Sequence, residues 1–230
     1  MAVGPHRVSH TGSSEAVEDY AKAIYALQSR ARGEPVSTND LADRLGVTPA
    51  SASAMAKKLA ELGLADHVPY RGTTLTAEGQ RLALEVLRHH RLLELYLAEH
   101  LGVPWDRVHE EAEALEHVLS EYLESRIAAK LGDPKVDPHG DPIPTASLAI
   151  EEGDTRSLAD LRPGDRGRFI RMSDSDPEML RYLHERGIGI GESLEVLDVQ
   201  PFDGPMTVRV GDDLHTLGGG LARAMRVSAG

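Results

Sequence analysis

The chain has 230 residues, no cysteine and a formal net charge of −12. The missing thiols exclude disulfides, thiolate zinc sites, iron–sulfur clusters and a cysteine nucleophile, so any metal must be held by nitrogen and oxygen. Hydrophobic residues at 40% and charged residues at 27% are ordinary for a soluble protein with a core, and the acidic balance argues against general coating of nucleic acid. No stretch reaches the roughly 20 apolar residues of a membrane span, and no signal-peptide core precedes Ser14, so a cytoplasmic protein without membrane contact is expected.

In chain order, Ser14 to Ala31 reads as a helix with Val17, Ala21, Ile24, Tyr25 and Leu27 on its apolar stripe. A short helix follows, capped by Ser37 or Thr38 and stopped at Gly46. Next comes a helix from Thr48, with Pro49 in its first turn and Met55, Leu59 and Leu62 facing inward, closed at Gly63. Two short helices across a tight turn read as helix-turn-helix. The segment L-A-D-H-V-P-Y-R-G-T-T-L-T then has the pattern of a hairpin with Arg71-Gly72 at or near its tip, the wing of a winged helix. Between Val47 and Thr76, Lys57, Lys58 and Arg71 oppose only Glu61 and Asp66, so this region departs from the acidic whole.

A long helix is predicted from Ala77 to about Leu101, and after the break G-V-P-W a second from about Trp105 to Leu131. Two long apolar helices suggest a dimer interface. The second carries His109, Glu113, Glu116 and His117 at offsets of four, seven and eight, which return to one face of a 3.6-residue period. Two imidazoles and two carboxylates on one stripe repel one another without a cation. His90 and Glu94 form a further i,i+4 pair on the preceding helix. A Pro- and Gly-rich cluster ending near Thr145 marks a boundary, and beyond it S-L-E-V-L-D-V and M-T-V-R-V-G-D-D-L-H-T-L read as strands, with one short helix at P-E-M-L-R-Y-L-H-E-R. Gly218-Gly219-Gly220 reads as a turn beside a strand, since no phosphate-loop pattern accompanies it.

Several motifs in order carry a resemblance: V-E-D-Y-A-K-A-I-Y around Asp19, Y-R-G-T-T-L-T-A-E-G in the wing, H-H-R-L-L-E at His90, E-A-L-E-H at His117 and H-G-D-P-I-P after it. Together they resemble the diphtheria toxin repressor and manganese transport regulator family of metal-dependent transcriptional repressors. The resemblance implies a mainly α chain with a small β domain. A winged helix-turn-helix DNA-binding domain would occupy 1–76, a helical metal-binding and dimerisation domain 77–145, and a linker with an SH3-like β-barrel 146–230. It implies one metal site at Asp19, Glu113, Glu116 and His117, and another at His90, Glu94 and His109. Carboxylates at positions 19 and 113 resemble the manganese type, so Mn2+ is the expected corepressor and Fe2+ the alternative. Lys22 departs from the manganese pattern, which has a glutamate ligand there, and an ammonium cannot ligate a cation; with Asp19 it could form an i,i+3 ion pair. Asp174 or Asp176 could add a ligand from the third domain.

The implied mechanism is corepression: a homodimer sets two recognition helices in successive major grooves of a palindromic operator and so shuts off metal-uptake genes. Thr48, Ala50, Ser51, Ser53 and Ala54 would face the bases, with no Arg, Asn or Gln for bidentate readout, while Lys57, Lys58 and Arg71 would contact phosphates. The rival readings are a metal-dependent hydrolase and a metal-storage protein. H-E-E-A-E and E-A-L-E-H each miss a zinc-peptidase signature at Glu113, and neither rival accounts for a winged helix. The expected protein is therefore not an enzyme.

Overall fold

The computed structural model describes residues 14–31, 33–68, 70–172, 176–202 and 204–229. They form two compact units, one from the described part of Met1–His89 with Glu116–Ser125 and Pro144–Ala149, the other from His90–Leu115, Arg126–Ile143 and the described part of Ile150–Gly230.

The first unit begins with α1 (Glu15–Arg30), α2 (Thr38–Leu45) and α3 (Pro49–Glu61), followed by the hairpin β1 (Ala65–Val68) and β2 (Gly72–Leu75). Local chemistry sets the ends of the two short helices. The Ser37 hydroxyl accepts from the Asp40 amide and the Thr48 hydroxyl from the Ser51 amide, each satisfying a donor that the first turn leaves open. Between them Gly46 adopts φ 64°, the left-handed cap that turns the chain sharply from α2 into α3. Val17, Ala21 and Ile24 of α1 meet Leu41, Ala52 and Leu59 in one core, joined by Leu82 and Val86 of α4 (Ala77–Leu101). Each fully buried Val, Leu or Ile side chain there contributes about 1.5–3 kcal/mol. The spacing of Ala52, Ala56 and Leu59 puts three buried residues on one face of α3 and leaves the other face to solvent. Leu62, expected inside, is 55% exposed because it lies at the C-cap, past the last turn that reaches the core. The wing registers Ala65 against Leu75 and Val68 against Gly72, and Val36 adds a bridge to Thr73.

In the second unit a six-stranded antiparallel sheet runs in the order β3 (Arg156–Ser157), β8 (Arg226–Ala229), β4 (Arg166–Arg171), β5 (Ser193–Val199), β6 (Met206–Val210), β7 (Asp213–Leu217). Alternation fixes its faces: Met206, Val208 and Val210 are buried while Thr207 and Arg209 turn outward. The buried face meets Leu180 and Leu183 of α7 (Pro177–His184) and Leu221 of α8 (Gly219–Ala224). The sheet is not the closed barrel expected from the sequence. Its edges, β3 and β7, share no ladder, and β3 spans only two residues, too few to close a barrel. Bulges at Phe169/Arg171 and Val196/Asp198 curve the sheet without joining its ends. The glycine run at 218–220 also differs from the expected turn, since Gly218 is the N-cap of α8.

Candidate metal centres and nucleic-acid interface

The expected helix from Trp105 to Leu131 is broken. α5 covers Val108–Leu115, Glu116–Val118 form a single 3-10 turn, and α6 resumes at Glu121–Lys130. No Gly or Pro marks the break. Its local signal is Ser120, whose hydroxyl accepts from the Leu123 amide at the start of α6. The stripe of four ligands is consequently divided into two clusters.

The first cluster, in the first unit, joins Asp19 of α1 to Glu116 and His117, with one donor atom from each within 4.8 Å of the others. His117 Nε2 lies 3.0 Å from Asp19 Oδ1 and 3.5 Å from Glu116 Oε1, and its Nδ1 lies 2.6 Å from Glu18 Oε2. Glu18 is a participant that the sequence reading missed. Its hydrogen bond holds the proton on Nδ1 and directs Nε2 toward Asp19 and Glu116, the arrangement that orients a metal-binding histidine. Lys22 Nζ stands 2.5 Å from Glu116 Oε1, with the glutamate side chain fully buried and the lysine side chain 17% exposed. Lys22 thus meets Glu116 across 94 residues, a partner that the i,i+3 reading with Asp19 did not foresee. Burial of the His117 ring lowers its pKa, but the Glu18 hydrogen bond and the charges of Glu116 and Asp19 outweigh this and leave it raised.

The second cluster, in the second unit, gathers His90, His109 and Glu113. Glu113 therefore sits with the two histidines, whereas the family resemblance implies a site with Asp19. One helical turn separates it from His109 on α5, and the two face each other at 3.7 Å. Glu94 Oε1 reaches both rings, at 3.0 Å from His90 Nε2 and 3.4 Å from His109 Nδ1, and the two rings meet edge to face at 4.8 Å. Burial raises the Glu94 pKa, yet the hydrogen bonds from His109 and His90 overcome it and hold the carboxyl well below its ordinary value.

Glu94 also faces a group absent from the expected site, Asp137 and His139 from the Pro- and Gly-rich segment. All three are buried. His139 Nε2 lies 2.7 Å from the Trp105 carbonyl, which only accepts, so Nε2 carries the proton and Nδ1 presents a lone pair. That Nδ1 and Glu94 Oε2 are buried without hydrogen-bond partners, and Nδ1 lies 3.8 Å from Glu94 Oε1. Buried acceptors left without donors on a neighbouring imidazole and carboxylate are costly without a cation, so the residues present fit a divalent metal. Asp137 accepts from the His139 and Asp141 amides, and its pKa is raised well above normal by burial and by the charges of Glu94 and Asp141. Gly140, at φ 85°, makes the loop possible: a Cβ there would lie 1.8 Å from the Ile170 carbonyl oxygen. The only sequence signal for these two ligands is the D-P-H-G-D-P run, whose Pro and Gly content points to a boundary and whose residues carry a family motif. Asp176 is committed as the N-cap of α7, accepting from the Glu178 and Met179 amides; Asp174 lies outside the described residues.

The outward face of α3 carries Ala50, Ser51, Ala54, Lys57 and Lys58, with Thr48 at its start; all are exposed, whereas Ser53 is half-buried. The Thr48 and Ser51 hydroxyls lie 2.9 Å apart. At the wing tip Arg71 is exposed, and beside it Tyr70, not singled out from the sequence, is fully exposed at φ 65°.

Three family models match the chain. Residues 13–73 match the iron dependent repressor N-terminal DNA binding domain, residues 76–145 the iron dependent repressor metal binding and dimerisation domain, and residues 156–229 the FeoA domain. The diphtheria toxin repressor of Corynebacterium efficiens is 30% identical over 223 residues, covering 93% of this chain and 95% of its own length. The chain belongs to the diphtheria toxin repressor family of metal-dependent transcriptional repressors. Another relative in this family, the iron-dependent repressor IdeR of Mycobacterium tuberculosis, is 35% identical over 130 residues, 56% of each chain. Among solved structures, a manganese-dependent transcriptional repressor complex with manganese superposes at TM-score 0.84 with 43% identity, covering 93% of this chain and 99% of that one. None of the described helices is long and apolar enough to cross a membrane.

Proposed function

We propose that this repressor is a cytoplasmic, manganese-activated homodimer that binds a palindromic operator upstream of metal-uptake genes. Iron(II) is the alternative corepressor. The observation that carries the reading is the first cluster, in which a histidine and two carboxylates from α1 and from the turn after α5 converge within 4.8 Å and contain no sulfur. A bound divalent cation supplies there the positive charge that two carboxylates otherwise take from Lys22 and His117. Oxygen and imidazole donors suit Mn(II), and the absence of thiolate and thioether removes the softer preference of iron-type sites.

Asp19 is the link to DNA. It lies on α1, which packs its Val17, Ala21 and Ile24 against Leu41 of α2 and Leu59 of α3, so fixing Asp19 against Glu116 and His117 fixes the frame of the recognition helix. Glu18 orients His117, and Lys22 neutralises Glu116 when no metal is present. His90, Glu94, His109, Glu113, Asp137 and His139 are the residues we assign to metal binding in the second unit. Thr48, Ala50, Ser51, Ser53 and Ala54 are assigned to base contact, Lys57, Lys58 and Arg71 to phosphates. Small side chains give few bidentate base contacts, so selectivity rests on thymine methyls and DNA shape. We assign the partner surface to Val118, Tyr122 and Leu123, which are 73%, 75% and 49% exposed inside the segment matching the dimerisation model. The functional domains proposed are 1–76, 77–145 and 146–230.

Fluorescence anisotropy on labelled operator DNA tests this reading. In chelator the protein should leave the DNA free, and Mn(II) should restore binding to a greater extent at saturation than Zn(II), although Zn(II) occupies nitrogen and oxygen sites at lower concentration. Binding that is indifferent to metal would refute corepression, and a stronger response to Fe(II) would replace manganese with iron.

A further inference from the structure

Another set of cation-binding side chains lies apart from those assigned above. Glu85 and His89, four residues apart on α4, meet Glu121, the first residue of α6, with one donor atom from each within 4.8 Å of the others. All three belong to the first unit.

His89 is the informative member. It is only 8% exposed, and its Nδ1 lies 3.2 Å from the carbonyl oxygen of Glu116. A carbonyl only accepts, so the neutral ring carries its proton on Nδ1 and presents a lone pair at Nε2. That Nε2 is buried without a hydrogen-bond partner. Glu124 Oε2 comes within 3.3 Å of it but off the line of a hydrogen bond, and the other oxygen of Glu124 is held by Arg88 Nε at 2.6 Å. A buried imidazole with its donor nitrogen fixed by a backbone carbonyl and an unpartnered lone pair left on Nε2, with one donor atom of the residue within 4.8 Å of a carboxylate oxygen of Glu85 and of Glu121, has the character of a metal ligand supported by its outer contacts.

We propose that Glu85, His89 and Glu121 bind a divalent first-row cation at a site distinct from both clusters assigned to corepression. One imidazole and two carboxylates leave positions for water, a donor set that accepts manganese or zinc. The site touches the first cluster chemically, because the carbonyl that fixes His89 belongs to Glu116, whose carboxylate faces His117 and Lys22. An ion on His89 therefore steadies the backbone of Glu116, and its role is to stiffen the turn between α5 and α6.

Equilibrium dialysis of the full chain against Mn(II) alone, and in parallel against Zn(II) alone, tests the proposal through the number of ions bound per subunit. The double variant Glu85→Gln/Glu121→Gln keeps side-chain shape and alters no residue assigned to corepression, so with either metal it should bind one ion fewer than the wild type. Anomalous diffraction from wild-type crystals soaked in the same metal should place a peak between the three side chains, which keeps the question open to measurement if the variant folds poorly. Equal stoichiometry in a folded variant, or no peak, overturns the site and leaves His89 as an imidazolium partner of Glu124. Neither readout depends on DNA binding, so failure of the corepressor reading would register separately.

Discussion

Replacing Lys22 with methionine separates the charge of the ammonium from the volume of its stem. At 2.5 Å, with Glu116 fully buried, the gross attraction at an effective dielectric near 20 is about 6–7 kcal/mol. Net costs are smaller: breaking a buried pair and leaving one charge behind typically costs about 3–5 kcal/mol. His117 Nε2, 3.5 Å from the same carboxylate oxygen, can take up part of the charge, so we expect a loss of about 3 kcal/mol in chelator, at the low end of that range. For a chain of this size that is a fall of roughly 6–12 °C in the melting midpoint. Manganese should reverse the loss, because in the variant it no longer competes with an ammonium for Glu116. The stabilisation by Mn(II) should grow by about the same 3 kcal/mol, equivalent to roughly a hundredfold tighter binding at this cluster. Thermal unfolding in chelator and in excess Mn(II), with isothermal titration of the metal, measures both halves. If Lys22→Met melts with the wild type in chelator, or gains no more from Mn(II) than the wild type does, Lys22 is not the stand-in cation described here.

The pH response follows from His117. Its folded pKa is raised above 6.5, so in metal-free protein its contribution to stability is fully present below 6.5 and is lost as pH rises through the folded value. Metal needs the neutral ring, so at subsaturating Mn(II) DNA binding should begin to weaken above pH 6.5 as the solution is acidified, and Glu18→Gln should move that midpoint downward in an anisotropy titration. Glu94→Gln removes the carboxylate between His90, His109 and His139 and should lower Mn(II) binding by the second unit, read by dialysis, while the melting of the first unit changes little. Alanine at Lys57, Lys58 or Arg71 should each reduce the slope of log K against log salt by about 1 without altering operator preference, and a change in preference would move that residue from phosphate to base contact. Gly140→Ala, facing a carbonyl at 1.8 Å from a left-handed backbone, should destabilise the second unit by about 3–5 kcal/mol, seen as loss of its share of the melting transition.

What could be read from the sequence was what local chemistry decides. Ser37, Thr48, Pro49 and Gly46 mark the ends of α2 and α3, and the wing strands flank Arg71, near the expected tip, while Gly72 itself pairs with Val68. The i,i+4 pairing of His90 with Glu94 and of His109 with Glu113 also survives, since each pair lies within one helix. Failures occur where distant residues override the local period. Nothing between Leu115 and Ser120 breaks a helix by itself, yet Glu116 is drawn to Lys22 and His117 to Glu18, 94 and 99 residues away, and the turn opens to let both reach. Asp137 and His139 were hidden for a different reason: a ligand on a loop has no periodicity to reveal it. The open sheet was misjudged because the number of strands can be read from alternation, whereas closure depends on the length of β3, only two residues.

The candidate donor groups are built wholly from imidazoles and carboxylates, in a chain without a single cysteine. Peroxide converts thiolates to sulfenic and higher acids and thereby silences thiolate-dependent sensors. Here it finds no such target among the ligands. Peroxide treatment of the metal-free chain should therefore leave its Mn(II) response intact at a dose that disables a thiolate site.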